Sequence, residues 1–429
     1  MGDQLNLKLS TGELSQNLSG DVESLNKNRP YNSKLKTIFI STGEVSGDLQ
    51  GSLLIEALKR QAVAAGWELK IVALGGDRMA SAGATLLGNT ISIGSVGTLL
   101  EALPFVLPTL KLQRRAKQYL QQHPPDLVVL IDYAGPNLSL GSYIRRQEPQ
   151  LPIVYYIAPQ MWVWWSNQRD TARLVSIADK LLAIFPEEAR YFQNQGAQVS
   201  WVGHPLVDRV QTAPSRQAAR AALGIAPEQL SIALIPASRR QELKYLLPVI
   251  FEAAQAIQAK LPQVHFWIPL ALEIYRAPIE QAIERYRLRA TVLPGQTQEA
   301  IAAADLAITK SGTVNLEIAL LNVPQVVLYR VSPITAWIAR YLLKISLPFI
   351  SPPNLVAMKP IVPELLQDQA TPQNIVQAAL ELLLNPNRRE QTLADYQEMR
   401  QALGEVGVCD RAAQEILQLL VKRMKDEEE

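Results

Sequence analysis

Beyond residue 35 the chain alternates between two kinds of apolar pattern. Short continuous apolar runs lie at 37–40, 69–74, 126–131, 153–157, 181–184 and 199–202. Between them run longer stretches, such as 49–65, in which apolar residues recur at helical spacing. A continuous apolar run predicts a strand buried on both faces, and the helical spacing predicts an amphipathic helix. Strands alternating with helices predict a parallel sheet covered on both sides. The pattern restarts after Pro205, with runs at 231–235, 265–268, 291–293, 306–308 and 325–328 and a helix at 242–260. Residues 373–424 are helical by pattern. The expected fold is α/β, two Rossmann-like parallel-sheet domains facing each other across a cleft. The expected divisions are a disordered polar extension at 1–35, domains at 36–204 and 205–390, and helices at 391–429 that could pack back on the first domain.

Composition narrows the function. At 429 residues the chain is too long for one ordinary core. Lys and Arg number 42 and Asp and Glu 40, a net charge of +2, so nucleic acid is not expected as a partner. Cys409 is the only cysteine, which rules out an intrachain disulfide and a cysteine-ligated metal cluster and fits a reducing compartment. His123, His204 and His265 show no metal-ligand spacing, and Asp-X-Asp is absent; no metal and no cofactor are expected. The polar N-terminal stretch lacks the apolar core of a signal peptide, and no run is apolar and long enough to span a bilayer.

Ligands in such sheets bind beyond the carboxyl ends of the strands, and the candidate residues cluster there. Ser311-Gly312-Thr313 follows the run at 306–308 and opens a helix carrying Glu317. Free N–H groups of a helix start suit a phosphate, and Glu317 one turn on suits ribose hydroxyls. A capped helix with a solvated Glu317 is the plainer reading. The loop Gly43-Glu44-Val45-Ser46-Gly47-Asp48 is neither a P-loop nor a dinucleotide fingerprint. Gly43 and Gly47 allow a tight turn and close approach of a ligand. Glu44 and Asp48 each face the cleft or cap the helix. Asp132 ends an apolar run, where a carboxylate can serve as a general base or bond a neighbouring helix start. Ser238-Arg239 follows the run at 231–235; Arg239 suits a diphosphate or pairs with Glu242.

Two apolar features remain. Gln160-Met161-Trp162-Val163-Trp164-Trp165 concentrates aromatics that either contact a sugar or acyl chain or fill an interdomain core. The segment containing Leu103, Phe105, Val106 and Leu107 precedes Lys111, Arg114 and Arg115. It reads as a membrane-surface contact or as a buried helix, and so does the segment around Trp337, Arg340, Tyr341 and Lys344.

Together these motifs resemble those of the lipid A disaccharide synthase family, glycosyltransferases of the GT-B class. The resemblance is carried by the Gly43–Asp48 loop, Gly75-Gly76-Asp77-Arg78-Met79, Ile131-Asp132, Ala158 to Trp164, and Gly203-His204-Pro205. Pro236-Ala237-Ser238-Arg239, Ser311 to Glu317, Pro353-Asn354-Leu355 and Val362 to Leu366 extend it. The resemblance implies transfer of 2,3-diacylglucosamine from UDP to 2,3-diacylglucosamine 1-phosphate, with inversion, giving the β-1,6 disaccharide 1-phosphate. It implies a first domain that faces acceptor and membrane, a second that binds the UDP donor, and a cytoplasmic enzyme peripheral to the inner membrane. A homodimer stays open. Asp132, helped by Glu44, would be the base, Arg239 and the Ser311–Thr313 turn would hold the diphosphate, and Glu317 the ribose. Asn354, Gln160 and Ser238 would add polar contacts. Tyr133-Ala134-Gly135-Pro136-Asn137 replaces the family's usual Ala-Pro-Asp-Phe-Asn, and Ala237 replaces a usual glycine, which leaves the acceptor and acyl-chain length open. Other readings of the fold are a lipid II-type N-acetylglucosaminyltransferase, a UDP-sugar epimerase or a non-catalytic UDP-sugar-binding relative. A dinucleotide-dependent oxidoreductase is disfavoured because no Gly-X-Gly-X-X-Gly follows the first run.

Overall fold

A computed structural model describes residues 35–91, 99–163, 168–236, 240–270, 272–332 and 349–428. The expected N-terminal extension lies outside the described residues up to Leu35. Among the described residues thirteen strands form two sheets, all of whose pairings are parallel. The first contains β1 (Leu35–Ser41), β2 (Glu68–Gly75), β3 (Thr85–Asn89), β4 (Leu127–Ile131), β5 (Ile153–Tyr156), β6 (Lys180–Ala183) and β7 (Val199–Trp201). Their spatial order is β3-β2-β1-β4-β5-β6-β7. The second contains β8 (Leu230–Ile235), β9 (Val264–Leu270), β10 (Ala290–Pro294), β11 (Leu306–Lys310), β12 (Gln325–Tyr329) and β13 (Glu364–Leu366), in the order β10-β9-β8-β11-β12-β13.

The apolar runs become strands because both faces of each sheet are covered. Along β1, Ile38 and Ile40 enter one core cluster and Phe39 another. Along β4, Leu127, Val129 and Ile131 face one way while Val128 and Leu130 face the other. Two strands escape the pattern, and both lie at sheet edges. Strand β3 is only half-buried or exposed along its length, and β13 has three half-buried residues. Neither offers a continuous apolar run.

In each sheet the strand order reverses at one crevice, between β1 and β4 in the first and between β8 and β11 in the second. A crevice of this kind is where a doubly wound sheet binds its ligand. The loops after β1, β4 and β11 carry Gly43–Asp48, Asp132 and Ser311–Thr313. These three motif loops therefore lie at the two crevices.

The chain end ties the halves together. The helix Pro372–Leu384 belongs to the second core, whereas Tyr396, Met399 and Leu403 of helix Pro386–Leu403 enter the first. The helix Val408–Glu428 packs against Val45–Ala64, with Ala412, Ala413 and Ile416 among Leu54, Ile55 and Leu58. Gly404 and Gly407 break the helical pattern with φ of 83° and 92°. Asp208, just after the first sheet, caps the last helix. Its Oδ1 accepts from Gly407 N at 2.6 Å and Val408 N at 3.1 Å, and its Oδ2 from Cys409 N at 2.7 Å. No described helix is long and apolar enough to cross a membrane.

A buried carboxylate joins the loops after β5 and β6. Glu188 Oε1 accepts from Ala158 N at 2.8 Å, and Oε2 from Ile184 N at 2.8 Å and Phe185 N at 3.3 Å. Burial pushes its pKa up to about 7 against the pull of these three donors, and the charge of Asp132 adds a smaller push.

Two outcomes follow from these contacts. Asp208→Ala removes the carboxylate that accepts from Gly407, Val408 and Cys409 N and costs about 1–2 kcal/mol in denaturant unfolding, while Asp208→Asn retains part of the cap. Folded Glu188 holds its proton to higher pH than the unfolded chain does. Its contribution to stability is therefore full below the ordinary value near 4.5 and is lost as pH rises through about 7. Thermal midpoints measured from about pH 5 to about pH 8 fall less in Glu188→Gln than in the parent.

Candidate functional site

A cavity of about 90 Å³ opens where the halves meet. The first half contributes Ser46, Gly47, Asp132, Gln160, Trp162, Glu188 and His204, and the second Thr313, Leu316 and Pro352. Asp132 is presented by a strained turn. It has φ 46° and Tyr133 has φ 52°, left-handed values that cost a non-glycine residue about 1–2 kcal/mol each. Ile157 on the neighbouring β5 loop is also left-handed, at φ 60°. The surrounding hydrogen bonds fix the turn. Asp132 N donates to Ile157 O at 3.0 Å, and Asp132 O accepts from Tyr155 Oη at 2.7 Å and Asn137 Nδ2 at 2.9 Å. Asn137 is fully buried and also reaches Ile131 O, Ser41 O and Ser41 Oγ. One amide thus clamps the ends of β1 and β4 together. Sequence reasoning passed over Asn137; its place one helical turn after a strand-end aspartate was the available signal.

The glycine loop works differently from expectation. A Cβ on Gly43 would lie 2.3 Å from the Tyr133 ring, and one on Gly47 would lie 1.9 Å from Thr42 Oγ1. Protein side chains, rather than an open approach to ligand, account for both glycines, although Gly47 also lines the cavity. Asp48 caps the neighbouring helix Asp77–Ser81 instead of its own. Its Oδ1 accepts from Gly76 N and Met79 N, and its Oδ2 from Arg78 N. Glu44 is half-buried at the start of helix Val45–Ala64.

His204 lines the cavity with its ring 5.4 Å from that of Phe185. Its Nδ1 accepts from Leu206 N at 3.2 Å, which places the proton of the neutral ring on Nε2. Burial pushes its pKa down to about 3, so the ring is neutral across the physiological range. Trp162 packs 5.7 Å from Phe185 on the same wall. It faces the cavity. Gln160 is exposed at the rim.

On the second half, Thr313 lines the cavity and Glu317 is buried one turn further on. Glu317 Oε1 accepts from Arg209 Nε at 2.9 Å, a pairing that the sequence did not reveal. Two of the expected phosphate donors are already engaged: Ser311 N donates to Leu328 O and Gly312 N to Asn315 Oδ1. The Ser311 hydroxyl donates to Ile350 O. Among the described residues, the N–H groups of Thr313 and Val314 keep no such partner. Asn354 is a correction. It is buried, its Nδ2 donates to Val362 O and Glu364 Oε1, and its Oδ1 accepts from Val362 N. That amide is spent inside the second half and offers the cleft nothing. Ser238, Arg239, Trp164, Trp165 and the segment around Trp337 lie outside the described residues.

Val106, Leu107 and Leu110 on helix Leu99–Gln122 are 44%, 68% and 58% exposed, so this part of the helix is not core. The side chains of Leu103 and Phe105 lie outside the described ones. Among the described residues, no group of three or more His, Cys, Asp or Glu side chains is placed to hold a metal ion.

Comparison with known proteins identifies the family and the fold. Residues 38–419 match the family model of lipid-A-disaccharide synthetase. The chain is 65% identical over 380 residues to the lipid-A-disaccharide synthase of Gloeothece citriformis, covering 89% of this chain and 99% of that protein. Among solved structures, a putative UDP-N-acetylglucosamine 2-epimerase from Listeria monocytogenes superposes with a TM-score of 0.64 at 15% identity, over 91% of this chain and 97% of that one. The calicheamicin glycosyltransferase superposes with a TM-score of 0.54 at 16% identity, over 90% of this chain and 99% of that one. These two likenesses are of fold alone, the two-sheet GT-B architecture. The sequence matches go further: this chain belongs to the lipid-A-disaccharide synthetase family.

Proposed function

We propose that this enzyme is an inverting glycosyltransferase that joins UDP-2,3-diacylglucosamine to 2,3-diacylglucosamine 1-phosphate. The products are the β-1,6 disaccharide 1-phosphate and UDP. One observation carries the mechanism: the strained, clamped turn sets Asp132 in the same cavity wall as Thr313 of the second half. The first half holds the acceptor and the second the donor.

Asp132 takes the proton of the acceptor 6-hydroxyl, helped by Glu44 of the loop after β1. The hydroxyl oxygen bonds to the anomeric carbon from one face. The bond from that carbon to the diphosphate oxygen breaks on the other, and its electron pair leaves with UDP. Arg239 and the N–H groups of Thr313 and Val314 stabilise the departing charge. Glu317 binds the ribose. Gln160 stands at the rim for a sugar hydroxyl, and the Trp162–Phe185 wall is apolar enough for the first methylenes of an acyl chain. The exposed Val106, Leu107 and Leu110 rest on the inner-membrane surface from the cytoplasmic side, where both lipid substrates reside.

Purified protein given both substrates in detergent forms a disaccharide phosphate and UDP; UDP binding without product contradicts the acceptor assignment. Asp132→Asn lowers kcat by about 10²–10⁴-fold and leaves the UDP dissociation constant within about twofold, as expected of a base that does not touch the nucleotide. Val106→Ser with Leu107→Ser and Leu110→Ser reduces co-sedimentation with anionic vesicles and leaves the thermal midpoint unchanged. Unaltered co-sedimentation removes this helix as the contact.

A further inference from the structure

Glu317 sits one turn inside helix Val314–Leu320 and is only 5% exposed. A carboxylate so placed is stable as an anion only with a paired cation and satisfied lone pairs. Arg209 supplies the cation from the connection between the two sheets, with Nε 2.9 Å from Oε1. The Oε2 atom accepts no hydrogen bond among the described residues. Thus one oxygen is committed to the protein and the other remains open.

Arg209 is itself held. It ends helix Leu206–Arg209, its N–H donates to Pro205 O, and its carbonyl accepts from Thr212 Oγ1 at 3.0 Å. The adjacent Asp208 is fixed by the N–H groups of Gly407, Val408 and Cys409 where the last helix begins. The guanidinium therefore reaches Glu317 from a rigid base. Arg78 and Asp48 of the first half complete the charge cluster. Burial and the nearby charge of Arg209 lower the Arg78 pKa, and Asp48 and Glu317 oppose that shift.

We infer that Arg209 is a positioning residue for the donor nucleotide: by binding one oxygen of Glu317 it fixes the orientation of the carboxylate and leaves the other oxygen to accept a ribose hydroxyl. This inference rests on the ribose role given to Glu317 above. It predicts that Arg209 matters only to ligands that carry ribose hydroxyls. A residue that merely held the fold would weaken every nucleotide alike.

Calorimetric titration with UDP and with 2′,3′-dideoxy-UDP separates the two. The parent protein prefers UDP by about 10- to 100-fold, the range of a charge-assisted hydrogen bond. Glu317→Gln loses that preference through weaker UDP binding. Arg209→Gln loses most of it in the same way, with dideoxy-UDP binding unchanged. Arg209→Lys, which keeps the charge without the planar donor, lies between and serves as the test should the Gln variant not fold. Equal weakening of both ligands in the Arg209 variants, or an intact preference, overturns the inference. A preference that survives Glu317→Gln overturns the ribose role itself, and the inference with it.

Discussion

The turn after β4 is the constraint on which the site depends. Asp132 and Tyr133 adopt consecutive left-handed backbone angles, which no apolar strand end would take up unaided. The Asn137 amide and the Tyr155 hydroxyl both bind the Asp132 carbonyl, and Asn137 reaches across to Ser41 at the end of β1. Strain of this size persists only where the surroundings over-determine it. The consequences spread outward. The Tyr133 ring lies over Gly43, so the β1 loop must have glycine there. The same hydrogen bonds pull the two strand ends together and define the crevice between them. The carboxylate is then presented by rigid strands, which in the proposed role of a base lowers the reorganisation needed at the moment of reaction.

A second set of contacts fixes how the halves meet. The stretch from Gly203 to Arg209 touches nearly everything that matters to their relative placement. Gly203 packs against Leu403 and Gly404, with a Cβ there only 2.8 Å from the Leu403 carbonyl. His204 forms part of the cavity wall, Asp208 caps the last helix, and Arg209 pairs with Glu317. A short segment thus connects cavity, C-terminal helix and second half. The last helix packs against Val45–Ala64, the helix that begins at Glu44, so that the chain end supports the loop after β1 from behind.

Much of the fold could be read from the sequence because burial on both faces leaves an unbroken apolar run. The central strands and their order of appearance followed directly. Strands β3 and β13 were invisible for the converse reason: at a sheet edge, half-exposed residues need not be apolar. In the site, the positions of Asp132 and the Ser311–Thr313 turn were legible because strand ends are predictable places. The partners were not. Asp48 serves another helix, Asn354 is spent on Val362 and Glu364, and Arg209 lies 108 positions before the carboxylate it binds. Such long-range pairings are set by tertiary packing, and no local periodicity encodes them.

The most direct test of the account is a structure of the complex with UDP and the acceptor. The account predicts the acceptor 6-hydroxyl within about 3 Å of an Asp132 carboxylate oxygen, the range of a hydrogen bond, with the left-handed turn unchanged. An acceptor hydroxyl resting against another carboxylate, with Asp132 turned away from the cavity, would contradict it.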